Sequence, residues 1–303
     1  MNKTVLITGT SSGFGKTAAK YFAARDWNVV ATMRRPTAER DLVRLDNVLV
    51  TRLDVQDAAS IAPAIEAGVA RFGGIDVLIN NAGFGLFGIF EATPPAKVRE
   101  QFDVNVFGVM EVTRAILPHF RARKSGIILN VTSGAGVFGL PTASLYTATK
   151  FAIEGFSEAI AWELASQNII VKIIEPGGVL STKTGERSGA ELAAATSIPD
   201  YDAFLTHADA TFAELRANVS ATEEDVARVM FEAATDGTNQ LRYVATDDIK
   251  PLVHARRETS EAAYMALMRE RFAFTADGAS ASRPDERGGF PPDALRKIPS
   301  SAG

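Results

Sequence analysis

The sequence predicts an α/β fold, doubly wound, with a mostly parallel seven-stranded sheet and helices on both faces. Seven short apolar runs alternate with helix-length segments along the chain. The runs are rich in Val, Ile and Leu rather than strictly alternating with polar residues, as expected of strands buried on both faces. The first run feeds directly into a glycine-rich turn and then a helical pattern. Strands separated by helices build βαβ units, and hence a parallel sheet.

The first strand, residues 4–8, enters the turn Thr8-Gly9-Thr10-Ser11-Ser12-Gly13-Phe14-Gly15, and a helix follows over 13–25. Glycines there permit a tight turn and close backbone approach to a pyrophosphate. The helix start adds unpaired N–H groups and the positive end of a dipole. The second strand, 28–32, runs on into Met33-Arg34-Arg35. An acidic side chain near this point would grip the ribose 2′-hydroxyl of NAD. None is present, and Arg34 and Arg35 offer guanidinium groups to a 2′-phosphate instead. The expectation is a preference for NADP(H), with NAD(H) as a possible substitute; a solvated strand end is the competing explanation for the arginines. Asp54 and Val55 follow the third strand, 48–53. Asp54 suits either a hydrogen bond from the adenine amino group or a cap on the helix of 58–72.

The fourth strand, 77–80, ends in Asn80-Asn81-Ala82-Gly83. A long helical segment, 95–121, carries Asn105 at its middle, and Ser133 closes the fifth strand, 127–132. The helix of 143–166 holds Tyr146 and, four residues on, Lys150. That spacing puts both side chains on one helix face. An ammonium beside a phenol favours the phenolate, so the tyrosine pKa is expected to fall from about 10 toward the range useful for proton transfer. Three units of lowering require roughly 4 kcal/mol, to be supplied by the lysine and a cationic nicotinamide ring. The sixth strand, 169–174, ends in Pro176-Gly177. Residues 177–220 then form a Gly-, Thr- and Ala-rich insertion placed to cover a substrate, because ligands in this architecture bind beyond the carboxyl ends of the strands. A helix over 223–234 and a last strand over 242–245 complete a domain spanning residues 1–255. The remainder, 256–303, comprises a helix over 258–272 and a tail dense in Gly, Pro, Ser and charge, expected to be weakly ordered.

Composition removes several function classes. The 303 residues contain no cysteine, which excludes disulfides, thiolate metal sites and cysteine nucleophiles. His119, His207 and His254 are far apart and fit no HExxH pattern, so no metal site is expected. A net charge of −4 without a basic run argues against nucleic acid as a partner. No run of 18 apolar residues offers a membrane span, and no charged segment followed by a long apolar stretch opens the chain, so a soluble cytoplasmic protein is expected.

The motifs TGTSSGFG, NNAG, the helix asparagine, the serine, YxxxK and PG occur in an order and spacing that resembles the classical short-chain dehydrogenase/reductase family over about residues 3–250. NNAGFGLFG, FDVNVFG and IIEPGG look most like the subgroup related to 17β-hydroxysteroid dehydrogenases. The resemblance implies a Rossmann fold and a catalytic set of Ser133, Tyr146, Lys150 and Asn105. Tyr146 would act as acid in reduction and base in oxidation. Lys150 would lower the pKa of Tyr146 and bind the nicotinamide ribose, Ser133 would polarise the substrate carbonyl, and Asn105 would support a water relaying protons to Lys150. It implies cofactor contacts at Gly9, Ser11, Ser12, Gly13, Phe14, Gly15, Arg34, Asp54, Val55, Asn81, Ala82, Gly83, Tyr146, Lys150, Pro176, Gly177 and Val179. Where the family often has threonine five residues after the proline, this chain has Ser181 and then Thr182, and either hydroxyl suits the cofactor.

The expected partner is a small-molecule ketone or secondary alcohol. Phe84, Leu86, Phe87, Val137, Phe138 and Leu140 supply candidate apolar pocket residues. Apolar residues around the helices of Asn105 and Tyr146, such as Phe151 and Phe156, suggest a homodimer or homotetramer. A regulatory protein that senses NADP(H) on the same fold without turning it over is the alternative, as is a lyase or epimerase that keeps its cofactor bound.

Overall fold

The computed structural model describes residues 2–179, 198–217 and 219–274. Its centre is one seven-stranded sheet in the order β3-β2-β1-β4-β5-β6-β7. The strands are β1 (Thr4–Thr8), β2 (Asn28–Met33), β3 (Val48–Arg52), β4 (Val77–Asn80), β5 (Gly126–Val131), β6 (Ile169–Glu175) and β7 (Arg242–Val244). Every neighbouring pair is parallel. The chain winds outward from β1 to β3, then returns to place β4 on the other side of β1. The strand order therefore reverses between β1 and β4, and a crevice opens there beyond their carboxyl ends.

Successive strand residues point to opposite faces, and each face buries its own core. On one face, Val5, Ile7, Val29, Ala31 and Leu129 pack with Ala18, Ala19 and Phe22 of α1 (Gly13–Ala23) and with Val226, Met230 and Ala233 of the later helix Glu223–Thr235. On the other, Leu6, Val30, Leu78 and Ile128 meet Ile61 and Ile65 of α2 (Ile61–Phe72), and Val112, Ile116 and Phe120 of the helix Gly108–Arg123. All five residues of β1 are buried, which is why that strand reads as an unbroken apolar run.

The expected single helix over 95–121 is three pieces: α3 (Pro95–Phe102), a wide π turn (Asp103–Phe107) and α4 (Gly108–Arg123). The Gly108 N–H reaches back five residues to the Asp103 carbonyl. After α5 (Ser144–Ala165) and β6, the described part of the insertion includes a short turn, Pro199–Tyr201, that leads into a helix, α6 (Asp202–Ala217). Residues 180–197, including Ser181 and Thr182, lie outside the described residues, as does the tail from 275 onward.

Next comes α7 (Glu223–Thr235), held at its start by a reciprocal cap between Thr222 and Asp225. The C-terminal helical region is two helices rather than one, α8 (Lys250–Glu258) and α9 (Glu261–Phe272), so residue 255 falls inside α8. Ser260 starts α9 by accepting the Ala263 N–H. Phe272 and Phe274 then pack on α6, with ring centroids 6.4 Å from Phe212 and 6.0 Å from Phe204 respectively. Among the described residues, no helix is long and apolar enough to cross a membrane.

Candidate active site

The glycine-rich turn is built for close approach. Gly9 has φ +73°, and a Cβ there would sit 2.8 Å from the Ala82 Cα. A Cβ at Gly15 would collide with the Asn81 amide and the Gly9 carbonyl. Asn81 binds this turn to the end of β4: its Nδ2 donates to the Thr8 carbonyl at 2.9 Å and to that of Gly9 at 3.3 Å. In return, the Thr8 hydroxyl accepts the N–H groups of Asn81 and Ala82, each at 3.0 Å. Ser12, in extended conformation, precedes α1 without a side-chain cap. Among the described residues no side chain caps the first-turn N–H groups of α1, an arrangement that suits an anion such as a pyrophosphate.

Arg34 and Arg35 stand exposed just beyond β2 and form no ion pair with any described residue. The nearby acid Glu39 is committed elsewhere. One of its oxygens accepts the N–H groups of Arg40, Asp41 and Leu42 at 3.0, 2.7 and 3.1 Å, and Lys16 Nζ at 3.2 Å. Asp54 is not a helix cap. Its Oδ1 accepts the Gln56 N–H at 3.1 Å within a turn, while Asp57 caps the short turn before α2. Val55 is partly buried beside it.

Ser133 leaves β5 and caps a single helical turn, its Oγ accepting the Ala135 N–H at 3.2 Å. The carbonyl of Pro176, at the end of β6, accepts the Gly134 N–H at 2.8 Å, so the two strand ends move as one. Gly177 donates to Thr246 Oγ1 and Gly178 to Asp248 Oδ2, both at 2.8 Å, which fixes the backbone leading to the buried Val179. Asn105 is buried in the π turn. Its Nδ2 reaches the Phe84 carbonyl at 2.8 Å and Thr149 Oγ1 at 3.1 Å, and its Oδ1 accepts the Phe84 N–H at 3.0 Å. It therefore pins the loop beyond Gly83 to α5.

On α5, Tyr146 is half-buried within hydrogen-bonding reach of Ser133, and the ring centroid of Phe87 is 5.6 Å from its own. Lys150 is buried, with Nζ 2.9 Å from the Val131 carbonyl and 5.5 Å from the Tyr146 ring centroid. The lowered tyrosine expected from the spacing is not what this arrangement gives. Burial pushes the Tyr146 phenol up, and the hydrogen bond with Ser133 only partly offsets it. Burial instead acts on Lys150, lowering it to about 8 against the opposing pull of the Glu154 charge. The lysine ammonium donates one of its three protons to the Val131 carbonyl.

Of the apolar pocket candidates, Phe84, Leu86, Val137 and Phe138 are buried in small cores beneath their loops. Phe87 and Leu140 keep partial exposure. Sequence reasoning passed over Thr149, whose hydroxyl joins Asn105 to the Tyr146 carbonyl (2.8 Å), and Glu154, one helical turn beyond Lys150. The period that paired Tyr146 with Lys150 also points to Glu154.

The model of the short chain dehydrogenase family matches residues 3–192. An uncharacterised oxidoreductase of Schizosaccharomyces pombe is 37% identical over 242 residues, covering 79% of this chain and 99% of its own length. A 3-ketodihydrosphingosine reductase of Bacteroides thetaiotaomicron is 39% identical over 202 residues, covering 66% and 72%. The structure of ElxO with NADP bound superimposes with a TM-score of 0.66 at 27% identity, covering 81% of this chain and 98% of that one.

Proposed function

The chain belongs to the short-chain dehydrogenase family and is an NAD(P)-dependent oxidoreductase acting on CH–OH groups; from that premise we propose that it interconverts a hydrophobic ketone and its secondary alcohol, with NADP(H) preferred over NAD(H). The observation that carries the reading is the convergence of Ser133, Tyr146 and Lys150 at the carboxyl end of β5, beside a glycine turn whose helix start is uncapped.

The bound nicotinamide supplies or accepts the hydride; this chain's residues do the rest. The turn from Gly9 through Ser11, Ser12, Gly13, Phe14 and Gly15 holds the pyrophosphate with backbone N–H groups. Asp54 and Val55 would face the adenine, Asn81, Ala82 and Gly83 would line the cofactor's edge, and the backbone from Pro176 and Gly177 to Val179 would meet the carboxamide. Arg34 holds the 2′-phosphate. Glu39 supports that assignment, because its ties to Lys16 and three backbone N–H groups keep it from ribose hydroxyls. In reduction, Ser133 orients the substrate oxygen and Tyr146 delivers its proton to it; oxidation reverses the transfer. Lys150 binds the ribose and replaces the proton on Tyr146. Asn105 has both amide protons engaged, and the remaining lone pair of Oδ1 holds the relay water.

Partly exposed Phe87 beside Tyr146 supports an apolar substrate, as does the 3-ketodihydrosphingosine reductase likeness. Exposed Phe107, Phe151 and Trp162, on the π turn and α5, support a homodimer or homotetramer. The test is NADPH consumption against steroid, long-chain and small charged ketones, with Tyr146→Phe as control. Turnover of apolar ketones that disappears in the variant supports the proposal. Tight NADPH binding without turnover of any ketone would replace it with a sensing role.

A further inference from the structure

Glu154 lies on the same face of α5 as Tyr146 and Lys150, at successive four-residue steps, and is 7% exposed. Its Oε1 accepts the hydroxyl of Thr132 at 2.7 Å, the residue immediately before Ser133. Gly136, in the turn that Ser133 caps, sits directly against it: a Cβ there would lie 3.0 Å from the Glu154 Cγ. The other oxygen, Oε2, accepts Arg242 Nε at 3.0 Å, from β7 on the far edge of the sheet. We propose that Glu154 is a positioning residue for the reaction, fixing the Ser133 strand end through Thr132 and holding a negative charge beside Lys150, with Arg242 keeping that charge in place.

This rests on the reductase reading above. The charged groups around Glu154 come from every element packed on it. Lys150 and Glu158 belong to its own helix; Glu158 also pairs with Arg242, at 2.5 Å. Fully buried Glu175, on β6, stands 3.7 Å from Arg242 Nε and is clasped by both terminal nitrogens of Arg257 on α8, at 3.0 and 2.5 Å. On balance the Glu154 carboxyl is pushed up: burial first, and then the Glu175 charge, outweigh the downward pull of Thr132 and Arg242. Loss of Arg242 would push the carboxyl up further. The influence itself has a fixed sign. A nearby negative charge raises the pKa of lysine and tyrosine alike, so its removal lowers the titration of the coupled Tyr146–Lys150 pair however the protons are shared between them.

The experiment is the pH profile of ketone reduction in Glu154→Gln, Glu154→Met and Glu154→Asp, with thermal stability recorded in parallel. In Glu154→Gln the alkaline limb of kcat/KM moves down by about one pH unit. In Glu154→Asp, which keeps the charge, it stays near the wild-type position even if Tm falls. Glu154→Met, which removes the same charge with an apolar side chain of similar length, moves the limb in the same direction as Glu154→Gln; it serves as the measurement if the glutamine variant does not fold. A wild-type limb in whichever of these two neutralising variants folds, with only Tm lowered, overturns the proposal and leaves Glu154 a structural residue. Absence of turnover in the wild type would instead remove the reductase reading itself.

Discussion

Replacing Arg34 by alanine isolates the cofactor preference. The guanidinium is exposed and forms no ion pair with a described residue, so its loss costs the fold little: surface substitutions of this kind stay within about 0.5 kcal/mol. A hydrogen bond to a charged group contributes about 1.5–3 kcal/mol, and one such bond to a 2′-phosphate is at stake. At about 1.4 kcal/mol per decade, the NADPH Kd should rise roughly ten- to 150-fold. The NADH Kd, with no phosphate to lose, should change by less than about twofold. Nicotinamide fluorescence titration gives both constants on one preparation, and an unchanged Tm certifies the fold. The reasoning is refuted if the NADPH/NADH ratio stays where it was in Arg34→Ala and also in the double variant with Arg35→Ala. In that event the strand end is merely solvated, and discrimination between the cofactors lies elsewhere.

Three further outcomes follow from side chains outside the cleft. Lys172, 1% exposed on β6, donates to Asp236 Oδ1 at 2.5 Å and to the Tyr243 hydroxyl at 2.9 Å; Asp236→Ala strands this buried ammonium, should cost about 3 kcal/mol, and should lower Tm by roughly 6–12 °C, whereas a loss below about 1 kcal/mol by urea unfolding would contradict the buried-pair argument. Burial alone would raise the Asp236 carboxyl, but hydrogen bonds from Lys172, Tyr243 and Thr238 hold it well below the usual range, so its contribution is complete above about pH 4 and is lost as pH falls below that value; the wild type and Asp236→Ala should converge in acid. Phe151→Glu, at an exposed position of α5, tests the proposed homo-oligomer: light scattering should give a monomer with secondary structure retained, whereas a mass unchanged from the wild type would count against an interface at this position.

Much of the scaffold could be read from the chain because it depends on local pattern. Strands buried on both faces, such as Thr4–Thr8 and Val77–Asn80, announce themselves as Val/Ile/Leu runs, and their boundaries fall within a residue of those expected. The turn after β1 is signalled by glycines that the backbone demands at Gly9 and Gly15. Features that depend on distant partners were hidden. Nothing near Glu154 in sequence says that Thr132 and Arg242, the latter 88 residues away, will converge on it. The ionisation of Tyr146 was misjudged for the same reason. Four-residue spacing shows that a lysine is near, but not how strongly burial pushes the phenol up or that the ammonium also reaches the Val131 carbonyl. The start of α8 was missed although Pro251, in its first turn, is a local signal for a helix beginning.

The widened turn at Asp103–Phe107 gives this helix one residue more than an even coil would need over the same rise. Removing a single residue there should relax the segment to ordinary α-helix and leave Gly108–Arg123 facing the sheet as before, whereas the same deletion inside Gly108–Arg123 would turn everything beyond it by about 100° and expose Ile116 and Phe120. The helix thus contains one place where its length can change cheaply, and that place is occupied by Asn105. A lineage that shed this residue would keep a folded nucleotide-binding protein while giving up the tie between the loop beyond Gly83 and Thr149.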